Sequence, residues 1–179
     1  MDRALHDFLR ADGWVESVAH GMTVLGGTEV LVATAVASVY MLRRAGLGWW
    51  ASSGPLGSLW VCTVVTTVVK DLVGRARPEA GVGLSSAAFP SGHASNTTAL
   101  VVALALVVPL VSVAVPRKRA LLVAAAASLV MGWTRLALGV HWATDVVAGW
   151  VLGASVATVV TRAVVTRELR GSPADPGPA

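Results

Sequence analysis

Five apolar stretches, each long enough to cross a bilayer as a helix, dominate this chain of 179 residues. A helix rises about 1.5 Å per residue, so a hydrocarbon layer about 30 Å thick takes roughly 20 predominantly apolar residues. The stretches run from Gly21 to Leu42, Trp49 to Val69, Ala94 to Val115, Ala120 to Leu138 and Trp142 to Val165. Their apolar residues come in blocks, not in the alternation of a half-buried strand. With 55% hydrophobic and only 13% charged residues, the chain is not built for water, and a bilayer is its natural solvent. The expected fold is all-α: a multi-pass transmembrane helical bundle of about five spanning helices plus an N-terminal interfacial helix.

The interfacial helix is expected over residues 1–20. There Leu5, Phe8, Leu9, Val15 and Val18 fall near helical spacing, with Asp2, Arg3, Asp7, Arg10 and Glu16 on other faces. The first apolar stretch is too long and too far along the chain for a cleaved signal peptide, and it reads as retained. Residues 21–168 form the expected transmembrane domain, and the Pro-, Gly- and Ala-rich segment 169–179 reads as a disordered tail. Cys62 is the single cysteine and lies inside an apolar stretch, so no internal disulfide forms and no thiolate metal site is expected.

Short cytoplasmic loops collect Lys and Arg. Arg43 and Arg44 follow the first span, Arg117, Lys118 and Arg119 join the third to the fourth, and Arg162, Arg167 and Arg170 close the chain. These regions, with the C-terminus, are expected on the cytoplasmic side. The alternate connections then face outside, yet they carry Lys70, Arg75, Arg77 and, close by, Arg135. Isolated cations near helix ends ordinarily snorkel to water. Four of them converging on one face, together with two histidines, point instead to an anion site.

Three segments bring that chemistry together. The first is Lys70-Asp71-Leu72-Val73-Gly74-Arg75-Ala76-Arg77-Pro78, where the second span leaves the membrane. The second is Phe89-Pro90-Ser91-Gly92-His93, where the third span begins, and the third is Thr134-Arg135 followed by His141 and Asp145. Arg77 and Arg135 offer planar forks for phosphate oxygens, and Lys70 adds a compact charge, which suits a pentacoordinate phosphorus bearing two or more negative charges. Ser91 stands where a helix N-cap belongs, so its hydroxyl and the free N–H groups of Gly92 and His93 make an anion site. His141 and Asp145 share a helix face if the fifth helix starts at or before His141. The carboxylate then takes a proton from one ring nitrogen and leaves the other free to attack phosphorus. His93, from another helix, is placed to protonate the departing alkoxide.

The set Lys70…Arg77-Pro78, Pro90-Ser91-Gly92-His93 and Arg135…His141…Asp145 resembles the three-part signature of the type 2 phosphatidic acid phosphatase family, which shares its site with vanadium-dependent haloperoxidases. The resemblance runs from about the second span through the fifth. It implies His141 as nucleophile, Asp145 as its orienting partner and His93 as general acid. It implies Lys70, Arg77, Ser91, Gly92 and Arg135 as phosphate ligands, an all-helical core, and hydrolysis through a phosphohistidine without a metal or other cofactor. Two features depart from the family pattern: Thr134 stands where Ser is usual, keeping the hydroxyl, and many membrane members have six spans.

Other residues keep two readings. Arg75 either assists phosphate binding or ties its loop to lipid headgroups, and Thr134 is a further candidate at the phosphate. Glu29, inside the first span, is either helix glue or part of a substrate groove. Gly149 and Gly153 form a small-residue pair that packs helices within one bundle, and the tryptophans mostly anchor span ends. The expected activity is hydrolysis of a lipid phosphate at the outer membrane face. The candidate lipids are a polyprenyl phosphate or diphosphate such as an undecaprenyl or decaprenyl species, a polyprenyl phosphosugar, phosphatidylglycerophosphate and phosphatidic acid. Two alternatives are a non-catalytic headgroup-binding or transport protein and a vanadate-holding haloperoxidase. The partners expected are the lipid substrate and the bilayer, with no nucleic acid.

Overall fold

The apolar run from Gly21 to Leu42 is bent, because two glycines interrupt it. In the computed structural model, which describes residues 2–3, 9–10, 12–78 and 86–171, helix α1 (Trp14–Thr23) passes into a single 3-10 turn (Val24–Gly26), and α2 (Thr28–Arg44) follows. Gly27 between them is extended, at φ −67° and ψ 151°. The two halves meet at 46°, a sharp bend of the kind that adjacent glycines permit. Gly26 also lets the turn approach its neighbours, for a Cβ there would lie 2.5 Å from Met131 Sδ and 3.1 Å from His93 Cδ2.

This break revises the expected boundary at residue 20: the N-terminal helix runs on to Thr23. It also places Glu29 just after the bend. Glu29 is exposed in the first turn of α2, where a carboxylate complements the helix dipole and needs no buried partner. Leu5, Asp7 and Phe8, expected on the faces of the interfacial helix, lie outside the described residues.

The remaining helices are α3 (Trp49–Ser52), α4 (Gly54–Val73), α5 (Gly92–Val107), α6 (Arg117–Ala137) and α7 (Ala143–Gly171). Among the described residues, α4, α5 with the turn that follows it, α6 and α7 are each long and apolar enough to cross a membrane. The bent α1–α2 pair makes a fifth span if taken as one. Helix α7 runs through Gly171, so residues 169–171 are helical rather than tail, and 172–179 lie outside the described residues.

Helix α5 is the axis of the bundle. It buries residues on every side, among them Ala94, Thr98, Leu100, Ala103 and Val107, whereas α4, α6 and α7 leave Val64, Leu122 and Val151 exposed, as suits helices with one face in lipid. Helix α7 packs directly on α5: a Cβ at Gly149 would meet Ser91 O at 2.9 Å, and one at Gly153 would meet Ser95 O at 2.3 Å. The glycine pair therefore packs helices inside the bundle. Trp150 is not an interfacial anchor. Its Nε1 donates to Ser128 O at 2.9 Å, and its ring fills the space that a Cβ at Gly132 would need. On the other side of the axis, Leu31 and Ala35 of α2 pack with Leu59 and Leu100.

Helices α4 and α6 run toward one end of the bundle, while α2, α5 and α7 run away from it. The basic clusters at the end of α2, the start of α6 and the end of α7 thus share the opposite end. There Glu168 Oε2 accepts from Trp50 N at 2.7 Å and Ala51 N at 3.2 Å, filling orphan donors at the start of α3. The Arg167 guanidinium lies over the Trp50 ring at 3.5 Å.

Candidate active site

Four helix ends meet where the three motifs converge. Helix α4 stops at Gly74, which takes the left-handed conformation at φ 57°, so the chain turns and carries Arg75 and Arg77 over the end of the bundle. Ser91 is the N-cap of α5, and Gly92 and His93 open that helix. Arg135 lies in the last turn of α6, Gly139 turns the chain at φ 63°, and Asp145 lies in the first turn of α7. A cavity of about 300 Å³ opens between these ends, lined by Lys70, Arg77, Gly92, His93, Arg135 and His141, with Ser86 and Val140.

Helix α7 starts at Ala143, two residues after His141 and later than the shared face required. The pair forms nonetheless, with His141 Nδ1 3.4 Å from Asp145 Oδ2. The same oxygen accepts from Trp142 N at 2.9 Å, so the carboxylate folds back on the residues just before its own helix. On the far side of the ring, Arg77 Nη1 lies 3.0 Å from His141 Nε2. A guanidinium only donates, so Nε2 must present its lone pair and Nδ1 must carry the proton. Burial lowers the His141 pKa to about 4, with Arg77 and Lys70 adding to the shift and Asp145 opposing it. The ring is neutral near pH 7, with its free nitrogen turned toward the arginine.

The cations are held from behind by backbone and hydroxyl oxygens. Lys70 Nζ donates to Ala87 O. Arg77 donates through Nε to Ser86 O at 2.8 Å, through Nη2 to Ser86 Oγ at 3.1 Å and through Nη1 to Val140 O at 2.9 Å. Burial lowers the pKa of Arg77, with Asp145 opposing. Arg135 Nη1 donates to Thr23 Oγ1 of α1. With these carbonyls and hydroxyls fixing the cations, their other N–H groups remain for an anion in the cavity.

Three candidates stand elsewhere than expected. Ser91 is fully buried; its N–H donates to Asp145 O at 3.0 Å, its hydroxyl has no partner among the described residues, and it does not line the cavity. Thr134 is turned away, donating to Met131 O at 2.8 Å. Arg75 also lies off the cavity and reaches Asp145 Oδ1 at 2.7 Å. Residues that sequence reasoning missed are Ser86, Val140 and Thr23. Ser86 belongs to a connecting loop without a motif, and Thr23 is one more small residue at the edge of an apolar run.

A model of the PAP2 superfamily matches residues 53–169. The chain belongs to the PAP2 superfamily. Phosphatidylglycerophosphatase B of Bacillus subtilis (strain 168) is 31% identical over 147 residues, 78% of this chain and 70% of that protein. The decaprenylphosphoryl-5-phosphoribose phosphatase of Mycobacterium tuberculosis (strain ATCC 25618 / H37Rv) is 34% identical over 119 residues, 62% of this chain and 59% of that protein. Among solved structures, the first transmembrane PAP2 type phosphatidylglycerolphosphate phosphatase from Bacillus subtilis shares the fold at a TM-score of 0.80 and 24% identity, over 97% of this chain and 87% of that one. Aquifex aeolicus LpxE shares it at a TM-score of 0.65 and 15% identity, over 90% and 94%. This PAP2 protein is accordingly a membrane phosphatase, a hydrolase. Thr23 and Gly26, which touch Arg135 and approach His93, lie before the matched region, so α1 brings to the PAP2 site parts that the family match does not include.

Proposed function

We propose that this PAP2 phosphatase removes a terminal phosphate from a lipid at the outer membrane face through a phosphohistidine on His141, without a metal. The observation that carries the reading is the lone pair of His141 Nε2, presented to a cavity that Lys70, Arg77 and Arg135 also line. In the first step Nε2 attacks phosphorus, the N–P bond forms, and the P–O bond to the lipid breaks while His93 delivers a proton to the departing oxygen. In the second, water attacks the phosphohistidine, His93 takes up a proton of that water, and the P–N bond breaks to release phosphate. The three cations offset charge on the phosphoryl oxygens throughout. Among the described residues, no three His, Cys, Asp or Glu side chains group as a metal-ligand set.

The names of the relatives support a phosphate on an apolar anchor, either phosphatidylglycerophosphate or a polyprenyl phosphosugar such as a decaprenyl phosphoribose phosphate. Charge supports the sidedness: the basic clusters lie at the end away from the cavity, and short cytoplasmic loops collect Lys and Arg. Purified protein in detergent should release phosphate from these lipids in the presence of chelator. Phosphate-labelled substrate should leave an acid-labile, base-stable label on the protein that His141→Ala abolishes. Undiminished turnover by His141→Ala would sink the mechanism, and headgroup binding without turnover by the intact chain would mark a receptor or transporter.

A further inference from the structure

We infer that Arg75 is a positioning residue that holds the carboxylate of Asp145 against His141, and that Asp2 holds Arg75 in turn. The inference rests on the reading of His141 as nucleophile. The Asp145 side chain is 0% exposed, and a buried carboxylate needs compensation at both oxygens. Oδ2 has the Trp142 N–H and faces His141 Nδ1. Oδ1 accepts from Arg75 Nη1 at 2.7 Å, the shorter of the carboxylate's two ion-pair contacts.

The guanidinium is itself gripped. Nη2 donates to Asp2 Oδ2 at 2.8 Å. Thr144 Oγ1 accepts from Arg75 Nη1 and donates to Asp2 Oδ2, both at 2.6 Å. The Trp142 ring centroid lies 5.7 Å from its central carbon, and Trp142 Nε1 donates to Ala76 O at 3.0 Å. One fork thus bridges two carboxylates, with its plane set by Thr144 and Trp142. Its absence from the cavity lining separates it from Lys70, Arg77 and Arg135.

Two consequences follow if Arg75 is replaced. Asp145 loses the donor that keeps Oδ1 turned away from the ring, so His141 loses its fixed orientation. His141 also loses the cation that lies beyond Asp145, so its ring takes up a proton more readily.

The test is made on the full chain in detergent, comparing Arg75→Gln, Arg75→Lys and Asp2→Asn by steady-state kinetics against pH and by nitrogen-15 NMR of labelled histidines, with His141→Asn assigning the signal. For Arg75→Gln the expected result is a loss of about tenfold in kcat with KM nearly unchanged. The acid limb of kcat/KM and the His141 titration should both move upward by about one pH unit. Arg75→Lys should restore most of the pH position, and Asp2→Asn should lower kcat by about twofold to threefold without moving KM. A raised KM with kcat and both titrations unmoved would instead make Arg75 a phosphate ligand and overturn the inference, as would no change at all. The NMR readout needs no turnover, so a displaced His141 titration in Arg75→Gln would support the brace even if His141→Ala retained activity and the nucleophile assignment fell.

Discussion

Replacing Gly153 by alanine puts the packing of α5 against α7 to a direct test. The added Cβ would lie 2.3 Å from Ser95 O, 2.9 Å from Thr98 Cβ and 3.0 Å from Ala99 N. Two of these neighbours are backbone atoms of α5, which cannot swing aside as a side-chain end does. A carbon approaches a carbonyl oxygen to about 3.3 Å, so α5 and α7 must separate by about 1 Å, and overpacking of this kind costs about 1–3 kcal/mol. Asp145 lies roughly two turns along α7 from Gly153, and its carbonyl accepts the Ser91 N–H at 3.0 Å. Part of the displacement should reach the gap between His93 and His141, where misplacement of about 1 Å costs up to about 10²-fold in rate. Thermal unfolding and phosphate release in one detergent measure both effects. Gly57→Ala is the control: among the described residues its Cβ meets only Val160 Cγ1, at 3.5 Å, and alanine stabilises a helix interior by about 0.5–1 kcal/mol relative to glycine. If Gly153→Ala matched the wild type in stability and rate, the close approach of α5 and α7 would be refuted.

Three further outcomes follow from particular contacts. Because His141 is lowered from its ordinary 6.5 to about 4, first by burial, its neutral form persists into acid, and under the proposed role of His141 as nucleophile kcat/KM should hold down to about pH 4 in a pH–rate profile. The unfolded chain takes up that proton at a higher pH than the folded one, so the stability contribution of this group falls as pH drops from about 6.5 to about 4, which chemical denaturation across that window measures. Thr23→Val removes the acceptor of Arg135 Nη1 and should weaken inhibition by phosphate or vanadate by about tenfold. Glu168→Gln weakens the acceptor at the start of α3, and it should lower stability by about 1 kcal/mol with kcat unchanged, read by unfolding and turnover together.

Much of the site was legible because its chemistry sits in short segments. Lys70 with Arg77, Gly92 with His93, and His141 with Asp145 are each separated by at most one or two helical turns, so the chain alone brings each set near one helix end. The parts that escaped come from far away in sequence. Thr23 reaches Arg135 across 112 positions and Asp2 reaches Arg75 across 73, and no local pattern encodes such meetings. Arg75 was visible as a cation near Lys70 and Arg77, but whether it faced the cavity or the carboxylate depended on how the chain turned after Gly74.

The spans themselves were limited in the same way. Hydropathy located α4 to α7 because length and apolarity are local properties, and lipid replaces water around any such helix. The bend at Gly27 escaped because the residues around it are as apolar as a straight span requires. The sequence by itself determined that the chain crosses a membrane, and it identified the cations and histidines that gather at one end. The tertiary structure decided which of them share the cavity, which tautomer His141 holds, and that Arg75 faces Asp145. Those are matters of direction and distance between helices, settled by the close packing of α5 against α7 and by the long-range hydrogen bonds across the bundle's end.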